Sequence, residues 1–280
     1  MSQLVLATVI QGIRDLPSLP VVVMDLFSSF ENPDASSSAL ASKISQDQAL
    51  TAKTLRLANS SFYGLQRKVT TIQQAITVLG FDCVRTLVTA AGVIGNFSSS
   101  VQTGFSLTNF WRHAIGTALC ARILARTLNL NQDHAFISGL LHDIGKLVLV
   151  SRFPEHYSKV IAYRNEYDCT VLDAERNVVG VDHALVGQAL AEYWKFPSVI
   201  QLAIGNHHTP MPQDLGGMPC VIHVADAIIH ALDLNGSDDD LVPFIMEKAW
   251  SSLNLNPAKL ILVFRRTEEE FEEVCKILSS

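Results

Sequence analysis

Residues 139–146 read GLLHDIGK and set His142, Asp143 and Lys146 inside an almost wholly apolar run, AFISGLLHDIGKLVLV. Apolar side chains surround the helical wheel of that run, so the spacing predicts a helix over 133–150 that is buried on all sides. A carboxylate in such a helix has to be paired, protonated or bound to a cation, because desolvating it alone is costly. Lys146, three residues after Asp143, offers a local partner. A metal ion is the other answer, and on this stretch alone the two stand level.

Further ligand-type residues are spread along the chain. His113 lies in TNFWRHAIGTALCARILA, where Gly116 and Thr117 leave room for a close neighbour one turn later. His183 follows Asp182, which reads as a helix cap, and His207 and His208 end PSVIQLAIGNHH just before Thr209 and Pro210. Asp226 sits in the apolar stripe CVIHVADAIIHAL. Taken singly, each reads more readily as a satisfied core or surface residue than as a ligand. As a set, imidazoles with an intervening carboxylate suit zinc, manganese or iron, and an aspartate bridging two ions makes a hydrolytic centre chemically sensible. Spacing does not bring the residues together, and a third reading keeps them as buried hydrogen-bonded pairs without metal. His134, His156, His223 and His230 read as structural or surface residues. His223 and His230, three before and four after Asp226, share its helical face and are placed to orient it.

The elements that must position these groups read as all-helical, with apolar residues recurring at three- and four-residue intervals and few alternating runs. Leu6, Val9, Ile10 and Ile13 form a first stripe that LPSLP ends, and the next helix starts near Pro20. ENPDASSSALASKIS reads as a turn and a capped helix. Thr70 or Thr71 caps a helix that Gly80 ends. The Ser, Thr, Gly and Asn-rich segment NFSSSVQTGFSLTN marks a boundary. It divides an N-terminal helical subdomain, 1–103, from a second, 104–280, that carries the candidate metal centre. Helices are expected near 109–128, 133–150, 154–167, 182–194, 197–208, 218–233, 238–252 and 257–278, the last capped by Asn256 before Pro257.

Composition excludes several classes. The chain of 280 residues is 48% apolar and 17% charged, as in an ordinary folded protein. A net charge of -6 without a basic stripe gives little grip on nucleic acid. Cys83, Cys120, Cys169, Cys220 and Cys275 form no C-x-x-C pair, which argues against a zinc ribbon or disulfide framework and fits a reducing compartment. No secretory leader or membrane-spanning run is read, and no phosphate-cradling glycine loop, so a cytoplasmic protein is expected.

The segment LPSLPVVVMDLFSSFENPDASSSALASKISQDQALTAKTLRLANSSFYGLQRKVTTIQQAITVLG resembles the HDOD family of bacterial signalling proteins, and the likeness runs through FWRHAIGTALCARILA and GLLHDIGKLVL to about residue 230. The family is all-helical and related to the HD superfamily of metal-dependent phosphohydrolases, including the HD-GYP phosphodiesterases that open cyclic di-GMP. The resemblance implies that His113, His142, Asp143 and Asp226 hold one divalent transition metal, iron, manganese or zinc. It makes His183, His207 and His208 a second site bridged by Asp143. It also places Lys146 near a phosphate, where it would offset developing charge, and makes the bridging Asp143 the catalytic carboxylate. The sequence departs from the phosphodiesterases after His208, where HHTPMPQDLGGMP replaces a glutamate and a Gly-Tyr-Pro loop. Asn109 stands where members with a third metal carry glutamate. Many HDOD proteins act without hydrolysis, as outputs or scaffolds. The expectation is therefore a regulatory protein that works mainly through signalling partners, with input arriving from a separate partner or ligand. The alternative is a metal-dependent phosphohydrolase acting on a phosphoester such as a cyclic dinucleotide.

Overall fold

The computed structural model describes residues 6–14, 21–28, 37–60, 63–96, 104–234 and 241–279. Every α- or 3₁₀-element among them is helical, as the apolar spacing requires. In the N-terminal part these are α1 (Leu6–Arg14), α2 (Val21–Ser28), α3 (Ser37–Gln46), α4 (Gln48–Ala58), α5 (Ile72–Leu79) and α6 (Phe81–Asn96). There follow α7 (Leu107–Thr127), α8 (Gln132–Leu141), α9 (Ile144–Arg152), α10 (Pro154–Tyr167), α11 (Val171–Val178), α12 (His183–Tyr193) and α13 (Ser198–Asn206). A 3₁₀ turn at Pro212–Asp214 leads to α14 (Met218–Ala231), α15 (Glu247–Ser252) and α16 (Pro257–Ser279).

Side-chain oxygens start many of these helices by accepting a free amide of the first turn. Asp47, Thr71, Ser106, Thr170 and Asp182 do so for α4, α5, α7, α11 and α12. Asn256 does the same for α16, accepting the amide of Lys259 at 2.9 Å. Gly80, at a φ of 89°, ends α5 in a conformation open to glycine.

Three features differ from the sequence reading. The run expected as one helix over 133–150 is two, α8 and α9, broken at His142 and Asp143, where Asp143 has φ -98° and ψ 6°. The break takes the Asp143 side chain out of a regular helical face and leaves it free to point into the interior. A helix, α11, occupies 171–178 where none was anticipated, and the helix expected over 238–252 shrinks to α15, with 241–246 non-helical. The stop at LPSLP, the turn at ENPDAS and the division at 103/104 fall on residues outside those described. One apolar cluster nevertheless includes Val9, Leu57 and Leu87 together with Ile115, Leu140 and Leu278.

The helices that carry the candidate site approach closely because small residues line their contacts. A Cβ added to Gly139 in α8 would lie 2.7 Å from the Cα of Ala118 in α7. One added to Gly145 in α9 would run into the carbonyl oxygen of His183 and come within 2.7 Å of the amide nitrogen of Gly187 in α12. The glycine of the HDIGK stretch thus sets the start of α12, and with it His183, against Asp143. Gly145→Ala is expected to destabilise the protein by roughly 3 kcal/mol, because backbone cannot move aside as a side chain can. Gly95→Ala, at a helical position with open space around it, serves as the control and should cost nothing or add up to about 1 kcal/mol. Urea unfolding monitored by circular dichroism measures both, and equal effects would remove the close-contact argument.

Candidate metal centre

Four helices and two inter-helix junctions deliver the site. His113 comes from the first half of α7, His142 and Asp143 from the break between α8 and α9, and Lys146 from the first turn of α9. His183 opens α12, His207 and His208 follow the last turn of α13, and Asp226 comes from α14. The fold brings all of these together, although they span 113 to 226 in the chain. His113, His142, Asp143, His183, His207 and Asp226 are buried, and His208 is half-buried.

Asp143 turns one carboxylate oxygen to each half of the cluster. Oδ2 faces His142 Nε2 at 3.3 Å, His113 Nε2 at 3.9 Å and the Lys146 ammonium at 2.5 Å. Oδ1 faces His183 Nε2 at 3.1 Å and His207 Nε2 at 3.8 Å. On the first side His113 Nε2 stands 3.2 Å from His142 Nε2 and 3.0 Å from Asp226 Oδ1. On the second, His183 Nε2 stands 2.8 Å from His208 Nε2.

Tautomers follow from the outer nitrogens. His142 Nδ1 donates to the Gly139 carbonyl at 2.7 Å and His207 Nδ1 to the Ile204 carbonyl at 2.6 Å. A carbonyl oxygen can only accept, so in the neutral ring each Nε2 carries a lone pair directed at the centre. His183 Nδ1 meets Glu175 Oε2 at 2.6 Å, and the same oxygen accepts the His183 amide at 2.8 Å. These outer contacts are the arrangement by which proteins hold histidine ligands. Asp143 Oδ1, His207 Nε2 and Asp226 Oδ1 are buried without a hydrogen-bond partner. Donor atoms held about 2.1 Å from a common ion stand roughly 3.0 Å apart at right angles and roughly 3.4 Å apart in a tetrahedron, which matches the closer separations here. By donor chemistry and by these orphaned atoms, the residues fit a divalent metal. Among the described residues they form three overlapping sets, Asp143 with His183, His207 and His208, His113 with His142 and Asp143, and His113 with Asp226 and His230.

The electrostatics agree. Burial works against ionised Asp143, but His142, Lys146 and His183 outweigh it and hold the carboxyl well below its usual range. Asp226 is likewise held low, against burial, by His113 and His230. Burial and then His142 push His207 down to about 3, and burial and then His207 keep His208 well below its ordinary value. Burial also opposes charge on His183, yet Glu175 and Asp143 raise it to about 9.

Two cavities, of about 350 and 450 Å³, open onto the cluster. Asp143, Lys146, Arg164 and His230 line both. Of the two histidines expected to orient Asp226, His230 lies 3.4 Å from its Oδ1. His223 instead bridges backbone, donating to the His207 carbonyl at 2.7 Å and accepting the Met246 amide at 3.0 Å. Sequence reasoning missed Glu175. Its signal was available: it sits on the buried stripe of α11 between Ala174 and Val178, where a lone carboxylate needs a partner.

The fold and site together define an all-helical protein built round a buried histidine and aspartate centre able to hold metal. The chain belongs to the HDOD family, whose domain model matches residues 16–210. A candidate phosphohydrolase from Shewanella amazonensis SB2B is 28% identical, with a TM-score of 0.78 over 97% of this chain and 98% of that one. An HDOD domain protein of unknown function from Geobacter sulfurreducens shares the fold, with a TM-score of 0.73 at 24% identity over 96% of this chain and 93% of that one. An uncharacterized protein of Treponema pallidum (strain Nichols) is 30% identical over 234 residues, 81% of this chain. The match spans 44% of that relative's length.

The raised His183 makes a pH prediction. A folded-state value of about 9, above the ordinary value near 6.5, stabilises the metal-free protein fully below the lower value. That contribution is lost as the pH rises through the higher one. After chelation, the melting temperature should therefore fall between about pH 7 and pH 9.5, in line with the sign of the shift. Glu175→Gln, which removes the first of the carboxylates that raise His183, should flatten that fall. Parallel slopes in thermal melts of the two proteins would show that His183 is not the titrating group.

Proposed function

We propose that this HDOD protein carries a two-ion centre that binds and cleaves a phosphoester. The observation that carries the reading is the two-faced Asp143 carboxylate, one oxygen toward His113 and His142 and the other toward His183 and His207. Bound divalent ions supply Lewis acidity toward phosphoryl oxygens and lower the pKa of water toward neutrality. The chain's own groups do the rest. His142, His183 and His207 keep their rings oriented through Gly139, Glu175 and Ile204. Lys146, one face on Asp143 and one on both cavities, places a positive charge where an anionic ligand enters. Arg164 adds a guanidinium-bearing side chain to the lining of the same cavities. The likeness to a candidate phosphohydrolase along nearly the whole chain supports this reading. Among the described residues no helix is long and apolar enough to cross a membrane.

A second reading, in which the protein acts as a regulatory module for signalling partners and its metal is structural, is favoured by the segment after His208. There Asp214 accepts the Met211 amide at 2.8 Å and the Asn206 side chain at 2.9 Å, folding Pro212–Asp214 into a tight turn. This segment is built as a packed turn where the phosphodiesterases carry their substrate loop.

Metal content and turnover separate the readings. Protein purified without air or chelator should contain two ions per chain by plasma mass spectrometry and hydrolyse bis-p-nitrophenyl phosphate or a cyclic dinucleotide. Asp143→Ala should lose both ions and the activity. Lys146→Met should keep the metal and lower kcat by roughly 100-fold, the scale for removing one charge-stabilising group. Two tightly held ions with no turnover of any phosphoester would favour the regulatory reading. A folded protein with no metal would end the first.

A further inference from the structure

We propose that His230 is itself a metal ligand, and that the ion on the His113 and Asp226 side takes its donors from both α7 and α14. The inference rests on the reading of the cluster as a metal centre and adds a donor to it. Asp226 and His230 stand four residues apart on α14, the spacing that puts two side chains on one helical face and by which paired ligands four apart on a helix hold zinc. The Asp226 Oδ1 atom lies between two imidazole nitrogens, 3.0 Å from His113 Nε2 and 3.4 Å from His230 Nε2. The ring centroids of His113 and His230 are 4.5 Å apart, and the three donor atoms fall within 4.8 Å of one another. Asp226 Oδ1 is buried and has no hydrogen-bond partner.

The bland alternative is that His230 only orients Asp226. A donor in that role competes least with the metal on the carboxylate oxygen that is not ligating. His230 approaches Oδ1, the same atom that faces His113, which is where a shared cation would sit. His230 also lines both cavities, so its imidazole would face a bound ion from the side on which a ligand enters.

Cobalt(II) titration of the full chain tests this, read by visible d–d absorption, which reports the ligand field independently of activity. The anaerobically purified, chelator-stripped protein is compared with His230→Ala, His230→Gln and His183→Ala. The expected result is that His230→Ala weakens one cobalt by tenfold or more, changes its absorption band, and regains the band when free imidazole is added. His230→Gln, which keeps a hydrogen-bond donor but no ring nitrogen, should behave like His230→Ala, and it carries the same readout if the alanine variant does not fold. His183→Ala should disturb the other cobalt and leave the His230-dependent band in place. Weakened binding with an unchanged band and no response to imidazole would overturn the proposal in favour of a positioning role, as would wild-type binding by both His230 variants. Failure of the folded wild-type chain to take up cobalt would instead overturn the metal reading on which it rests.

Discussion

Burying Asp143 is the constraint around which the second half of the chain is arranged. An ionised carboxylate in a dry interior is tolerable only with positive charge beside it. Lys146 supplies one such charge through Oδ2. Asp226 and Glu175 are buried within the same group of helices, so further positive charge has to come from protonated imidazole or bound cations. The imidazoles are poorly suited to provide it, since His113, His207 and His208 are all held neutral by burial. His183 is the exception, with Glu175 against its Nδ1 at 2.6 Å and Asp143 facing its Nε2 at 3.1 Å. Of the neutral rings, His207 turns its Nε2 lone pair toward Asp143, an arrangement that a divalent cation satisfies and a hydrogen-bond network alone does not.

Helix geometry gives that centre its shape. Had the helix run unbroken through 133–150, His142 and Asp143 would project about 100° apart, as neighbours on any helix do. The break between α8 and α9 lets both side chains point to the same interior point, with His142 Nε2 and Asp143 Oδ2 3.3 Å apart. Gly145 then lets α12 dock backbone to backbone against α9, so that the first residue of α12 reaches the carboxylate. Gly139 does the same for α8 against α7, which carries His113. Ligand placement and tight helix packing are thus one feature of the fold, and loosening either glycine contact would move a histidine.

The N-terminal helices share in this through α7. Arg122, on the same helix as His113, sets its guanidinium 5.0 Å from the ring centre of Tyr63 and donates to the Tyr63 hydroxyl at 3.1 Å and to Asp133 at 3.2 Å. Burial is the leading influence on Tyr63 and raises its phenol well above the ordinary range, so it stays protonated beside the guanidinium. Tyr63 belongs to the N-terminal part of the chain and Arg122 to a helix of the candidate site. The two parts of the chain thus meet in a polar, half-buried contact.

The sequence by itself determined the helical class, most helix starts and the chemistry of the site. Periodicity and capping residues such as Thr71, Asp182 and Asn256 act over a few neighbours and are legible locally. The residue types at 113, 142, 143, 183, 207, 208 and 226 suited a cation, but left open a metal-free set of buried hydrogen-bonded pairs. Only the tertiary structure decided that they converge. It also broke the helix at Asp143, gave the carboxylate two faces, recruited Glu175 to His183, and set His230 on the same Asp226 oxygen as His113. Each of these depends on helices from distant parts of the chain meeting at fixed angles. Such contacts follow from packing between elements, to which the period and caps of any single helix are blind.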